Sequence, residues 1–212
     1  EIMDTAHFAR TSRAVLGPHW SGVFATGNLW ARVGLVYDPS RAQLRFSKTH
    51  PETIIGGRGQ PALEGRFDVD GTALRVFVLH LECCDRSATR TAQLDALEPA
   101  LAAARSSGDA LVVVGDFNTV DTADRGRVRA LASALQLTWA TQAVACTHFW
   151  QRPREQGGDC KTGVLDQVLT SSPVRVELHG GCADQCGVDG APRCPAWQRE
   201  VSDHCPVVAD PR

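Results

Sequence analysis

The chain has 212 residues, 43% of them hydrophobic and 22% charged, with a formal net charge of −2. That length allows one domain with a substantial core, and no uninterrupted apolar run reaches the ~20 residues needed to cross a bilayer as a helix. The charge argues against a strongly basic nucleic-acid-binding surface but leaves a nuclease open, because a bound divalent cation supplies positive charge locally.

Residues 4–17 carry Ala6, Phe8, Ala9, Ala14, Val15 and Leu16 at helical spacing, closed by Gly17-Pro18. Trp30 to Tyr37 reads as a strand ended by Asp38-Pro39-Ser40, and a polar, Gly-rich loop surrounds Gly56-Gly57-Arg58-Gly59. Glu64–Val69 and Ala73–Leu81 are predicted to form a hairpin across Asp70-Gly71, a strong turn signal. Thr89–Ala104 places Leu94, Leu97 and Leu101 on one helical face. Next comes Leu111-Val112-Val113-Val114-Gly115-Asp116-Phe117-Asn118, an apolar run that reads as a strand covered on both faces. Gly115 permits a sharp exit, and the period-2 spacing of Asp116 and Asn118 sends both side chains to one side. An acceptor-only carboxylate beside a carboxamide suits a metal, a phosphate or an attacking water, although Asp and Asn are also common turn formers. A short helix with Val128, Leu131 and Leu135 on one face follows, then strand-like segments at Val164–Leu169, Val174–Leu178 and Pro206–Ala209. Strand pairs alternating with single helices fit two packed sheets flanked by helices.

Eight cysteines are present, six of them in the last third of the chain. Even number and loop placement favour disulfides and an oxidising compartment over a zinc site at Cys182, Cys186 and Cys194, whose spacing lacks a paired C-x2-C knuckle. Cys146 and Cys160 flank a polar segment and are expected to close it as a disulfide, with further bridging among Cys182, Cys186 and Cys194. Cys205, at the entry to a strand, reads as a buried thiol.

Four segments occur in a telling order: Val78-Leu79-His80, Gly115-Asp116-Phe117-Asn118, Leu165-Asp166-Gln167-Val168-Leu169, and Ser202-Asp203-His204-Cys205-Pro206-Val207. Together they resemble the endonuclease/exonuclease/phosphatase superfamily, from residue 1 to about residue 209. Thr147-His148-Phe149-Trp150 is similar to the Thr-Phe-Trp of the abasic-site endonucleases in that group. The resemblance implies an α/β (α+β) fold, a four-layer α/β sandwich of two packed mixed β-sheets flanked by helices, with residues 1–212 as a single domain. Glu1-Ile2-Met3 resembles the end of the family's second strand, which supplies a metal-binding glutamate. The family's first strand, with its active-site asparagine, is expected before it and is not in this sequence.

The resemblance also implies roles. Glu1 and Asp203 would hold Mg²⁺ or Mn²⁺, ions that bind through one or two carboxylates and keep several waters. Asp116 would position and deprotonate the attacking water, and Asn118 would bond the phosphate or hold that geometry. His204 would contact a non-bridging phosphate oxygen as an imidazolium, oriented and charge-stabilised by Asp166. Gln167 departs from the family, where His or Tyr is frequent. His80 stands at a strand's C-terminal end as a phosphate contact or acid, against the alternative of a satisfied core histidine. Arg90 and Gln93 resemble the family's Arg-x-x-Gln, and Arg90 is a candidate substrate contact at a helix N-terminus or else part of a solvated first turn. Trp150, near Arg152 and Arg154, is a candidate for stacking on a base, or a packed loop anchor. His7, His19, His50 and His179 are expected at the surface.

The expected function is divalent-metal-dependent hydrolysis of phosphodiesters by an exported enzyme, with DNA or RNA as substrate and no protein partner implied. A phosphatase or phospholipase C-like enzyme on a small or lipid phosphate is the first alternative. A catalytically dead binding module of the same fold is the second.

Overall fold

A computed structural model describes residues 2–27, 31–180 and 183–211. The expected ligand Glu1 and the expected bridging residue Cys182 lie outside the described residues. Three α-helices dominate: α1 (Thr5–Leu16), α2 (Ser87–Ser106) and α3 (Thr122–Ala134). Asp4 caps α1 through its side chain, and Asp121 with Asp124 forms a capping box on α3, so sequence-local hydrogen bonds satisfy their first amides.

The central sheet has six strands in the order β3-β4-β5-β6-β10-β7. These are β3 (Ala42–His50), β4 (Ala62–Val69), β5 (Thr72–His80), β6 (Ala110–Asp116), β7 (Thr138–Trp139) and β10 (Asp166–Thr170). Only β5 and β6 run parallel, and α2 is the crossover between them. The β4–β5 hairpin turns at Asp70 and Gly71, both at positive φ, as its sequence predicts. Strand β3 leaves no clear mark in the sequence: it is a largely exposed, mostly polar edge strand, and polar edges are how sheets avoid pairing with other chains.

Alternation sorts the sheet's two faces. Phe77, Leu79, Leu111, Val113 and Leu169 point toward α2 and α3, where they meet Leu94, Leu97, Leu101, Val128 and Leu131 in the main core. The opposite face carries Leu63 and Val78, which pack on Val23, Ala25, Val33 and Leu35. Those residues belong to or adjoin a small second sheet, β1 (Ser21–Phe24) with β2 (Gly34–Tyr37). Two further two-stranded sheets complete the second layer, β8 (His148–Gln151) with β9 (Cys160–Gly163) and β11 (Val174–Leu178) with β12 (Val207–Pro211). The expected α/β architecture of a helix-flanked mixed sheet is present, with its second layer built from these small sheets among the described residues.

Several local expectations change. His50 is fully buried, bonded to Glu52 at 2.7 Å and Glu64 at 2.9 Å, because two carboxylates satisfy both ring nitrogens. Cys146 pairs with Cys186 and Cys160 with Cys194, not with each other. The β8–β9 register explains this: Cys160 stands opposite Gln151, and Cys146 lies five residues before it, about 16 Å along a strand. Cys205 is disulfide-bonded rather than a thiol. Cys83 and Cys84 also pair with one another. The two long bridges enclose separations of 40 and 34 residues and interleave along the chain.

Candidate active site

Three neighbouring strands end in one row. Strand register sets His80 beside Asp116 and Asp116 beside Asp166, and since all three occupy the same parity they project from the face away from α2 and α3. Above them stands a cleft of about 780 Å³, lined also by Ile2, Arg32, Asn118, His148, Asp203 and His204. Among the described lining residues, Arg32 is the single Lys or Arg, against the carboxylates Asp116, Asp166 and Asp203.

Gly115 makes the row possible. A side chain there would put Cβ 2.0 Å from the Leu79 carbonyl oxygen, and its φ is +131°, so β5 and β6 approach as closely as they do only with glycine. Asn118 reaches Asp116 by a route different from the one expected. Strand β6 stops at Asp116, and Asn118 has a left-handed φ of 49°. It curls back so that its backbone N–H donates to Asp116 Oδ1 at 2.8 Å, while its Nδ2 donates to Asp116 Oδ2 at 3.1 Å and to the Leu81 carbonyl at 2.9 Å. Asn118 therefore orients the Asp116 carboxylate.

His204 arrives from the second layer. Phe149 N–H donates to the Asp203 carbonyl and Cys205 N–H to the Thr147 carbonyl, each at 2.8 Å, which pairs residue 148 with residue 204 in an antiparallel bridge. Thr147 also ties this bridge to the central sheet, because its Oγ1 accepts from the amides of Leu165 and Asp166 at 3.0 Å each. The His204 imidazole then donates from Nδ1 to Asp166 Oδ2 at 2.8 Å, and its Nε2 lies 3.9 Å from Asp116 Oδ2. His80 Nε2 lies 3.6 Å from the same Asp116 oxygen.

The electrostatics follow from this crowding. Burial, then the Asp166 charge, raises the Asp116 pKa, while His204 and His80 act against the rise. Burial disfavours charge on His204, yet the Asp166 hydrogen bond and the nearby carboxylates outweigh it and push its pKa up to about 9. His148 goes the other way: burial and the His204 charge lower it. A raised carboxylate beside a charged imidazole is an arrangement for taking a proton at one atom and holding an anion at the next.

Other expected contacts fall elsewhere. Arg90 is buried outside the cleft, bonded twice to Asp124 (2.9 and 2.7 Å) and to the carbonyls of Glu82 and Cys84. Gln93 likewise holds the Thr53 carbonyl and the Glu82 amide. The pair braces the loop after His80, so the reading of Arg90 as a substrate contact is replaced by a positioning one. Gln167, on the far side of β10 from Asp166, is buried and accepts from Trp139 Nε1 and Thr141 Oγ1 at 2.7 Å each. Trp150 is 47% exposed on β8 and is not among the residues lining the cleft. His148, which no sequence motif singles out, is a further member of the site. Its one signal was its place one residue after Thr147, where alternation turns it inward.

The donor set fits a hard divalent cation. Asp203 presents a 57% exposed carboxylate to an anion-rich cleft, which suits an ion that keeps part of its water shell.

The profile of the Endonuclease/Exonuclease/phosphatase family matches residues 4–204. No curated protein sequence matches the chain. Among solved structures, D. rerio TDP2 complexed with single strand DNA product has a TM-score of 0.67 at 16% identity, covering 99% of this chain and 82% of that one. The human Nocturnin catalytic domain with bound sulfate anion gives 0.65 at 19%, covering 97% and 78%. The Bacteroides thetaiotaomicron mannosyl-6-phosphatase gives 0.65 at 14%, covering 97% and 81%. At these identities the likeness is one of fold.

Proposed function

The chain belongs to the endonuclease/exonuclease/phosphatase family, whose members are hydrolases acting on phosphate esters and generally use divalent metal ions, and on that premise we propose that it is an exported, metal-dependent phosphodiesterase that cleaves nucleic acid. The observation that carries the reading is the continuous Asp166–His204–Asp116–His80 row across one cleft. A cation held at Asp203, with Glu1 as the second carboxylate expected from the sequence, would offset phosphate charge and polarise a phosphoryl oxygen. Asp116, its pKa raised and its orientation held by Asn118, accepts the proton of the water that attacks phosphorus as the ester bond breaks opposite it. His204 donates from Nε2 to a non-bridging oxygen, and Asp166 keeps that imidazole charged and aligned. His80, beside Asp116, bounds the other flank of the phosphate position.

Nucleic acid is favoured as substrate by Trp150, Arg152 and Arg154. They lie on or just after the same strand that brings His148 into the cleft, a surface suited to stacking and backbone contact. The fold neighbour whose structure holds a single strand DNA product adds to that reading. Three disulfide pairs among the described residues support export.

The test is a screen with Mg²⁺ and with Mn²⁺ over single-stranded and plasmid DNA, RNA, bis-p-nitrophenyl phosphate and the p-nitrophenyl mono-ester. Nucleic acid and the diester should be cut, EDTA should abolish cutting, and either ion should restore it. Turnover of the mono-ester alone would make the enzyme a phosphatase. Full activity after rigorous metal removal would sink the mechanism.

A further inference from the structure

His148 has no part in the hydrolytic row, yet strand pairing holds it in the cleft. The bridge between residues 148 and 204 makes them cross-strand neighbours, and such neighbours present side chains about 5 Å apart on one face. Their rings meet edge to face with centroids 4.8 Å apart. His148 Nε2 also lies 3.8 Å from Asp203 Oδ2. Ligand atoms of His148, Asp203 and His204 all fall within 4.8 Å of one another. We propose that these three side chains form a two-histidine, one-carboxylate site for a borderline divalent ion of the Zn²⁺ class.

Three features of the surroundings support the assignment. His204 already donates its Nδ1–H to Asp166, the support that metal-bound imidazoles characteristically have, since it fixes the tautomer and aims Nε2 at the ion. Asp203 is exposed, so its side chain has room to rotate toward the two imidazoles. Three protein ligands leave a fourth tetrahedral position to water, and the cleft provides room for one. Imidazole nitrogen selects zinc, copper or nickel over magnesium, which prefers oxygen alone. The described cysteines offer no competing zinc site, because none of them is a free thiol.

Asp203 serves both this site and the hydrolytic cation, whereas His148 belongs to this site alone. Binding exchanges the Nε2 proton of His204 for the ion, so an ion of this class would take from the cleft the donor that faces phosphate. The site thus makes the protein a receiver of zinc-class ions whatever ester it hydrolyses.

The experiment is calorimetric titration of Zn²⁺ into the full, EDTA-stripped protein without substrate, so that its outcome does not depend on the hydrolytic reading. One saturable site is expected, held against a large excess of Mg²⁺. His148→Ala should weaken it by more than about 100-fold, and Asp166→Asn by about 10- to 100-fold, while His80→Ala should leave it unchanged. Co²⁺ added to the unaltered protein gives a second reading that needs no variant: the intense visible bands of a four- or five-coordinate ion should appear. Absence of a saturable site, displacement by Mg²⁺, or His148→Ala binding as tightly as the parent would each overturn the proposal. So would a weak, octahedral Co²⁺ spectrum on the folded parent.

Discussion

Asp116 and Asp166 face each other on adjacent strands, yet one is aimed by an asparagine amide and the other anchors an imidazole. Two carboxylates so close repel unless something positive stands between them, and His204 fills that place. Replacing Asp166 by Asn keeps the shape but removes both the charge and the acceptor of the Nδ1 proton. Such a variant should fold normally and lose about 100- to 10,000-fold in kcat, the range of general acid–base contributions. His204→Ala should lose at least as much, and the double variant should be little worse than either. Kinetics showing additive losses would mean the pair does not act as a unit. Much of this row is legible in the sequence, since His80, Asp116, Asp166 and His204 stand at strand ends or in compact motifs. His148 is not, because its neighbour His204 is distant in sequence and only the bridge register joins them. Arg90 misleads for a related reason: a helix-start arginine looks like an anion contact until Asp124, supplied by a different helix, is found against it.

The β8–β9 hairpin is the element that carries the second layer into the site, and it is short. Four residue pairs hold its ladder, too few for independent stability in water. Disulfides reinforce it: Cys146 sits just before β8 and is tied to Cys186, and Cys160 opens β9 and is tied to Cys194. Together with Phe149 and Cys205 they form a separate small core. On the chain-entropy estimate, closures of 40 and 34 residues contribute about 4 kcal/mol each. Reductant should therefore lower the melting temperature clearly, and peptide mapping without reduction should recover those two pairs. Recovery of a Cys146–Cys160 peptide, or eight titratable thiols in the denatured, unreduced protein, would contradict the arrangement. The β4–β5 hairpin could be read from Asp70-Gly71 because a tight turn writes itself into adjacent residues. The bridges that tie down β8 and β9 could not, since cysteine partners that lie more than 30 residues away leave no local pattern.

Across the whole molecule, strand β6 divides the labour between its two ends. Asp116 at one end serves the cleft, while Asp109, just before the other, is clamped by Arg66 (2.9 Å) and Arg75 (2.9 and 3.0 Å). Arg75 continues to Glu64 and Glu64 to His50, so a buried ionic chain links β3, β4 and β5 to the start of β6. The Arg66 hydrogen bond, with Arg75 beside it, holds the Asp109 pKa down at about 2, below the unfolded value of about 4. A carboxyl depressed in this way adds stability above pH 4 that is lost as pH falls through 2, here about 2 kcal/mol. His50 has the opposite sign. Although burial opposes its charge, the Glu64 and Glu52 hydrogen bonds raise its pKa, so its contribution is present below about pH 6.5 and fades as pH rises through the folded value. Urea denaturation of Asp109→Asn should show a cost of about 2 kcal/mol at pH 7 that shrinks as pH approaches 2. An equal cost at both would mean the arginine clamp is not its source. The interleaving of the two long bridges reaches furthest of all. Any single backbone cut from Lys161 to Gln185 is spanned by both of them. A protease that nicks this stretch therefore leaves one covalent molecule, with both halves of the site still tethered, until a reductant arrives to separate them.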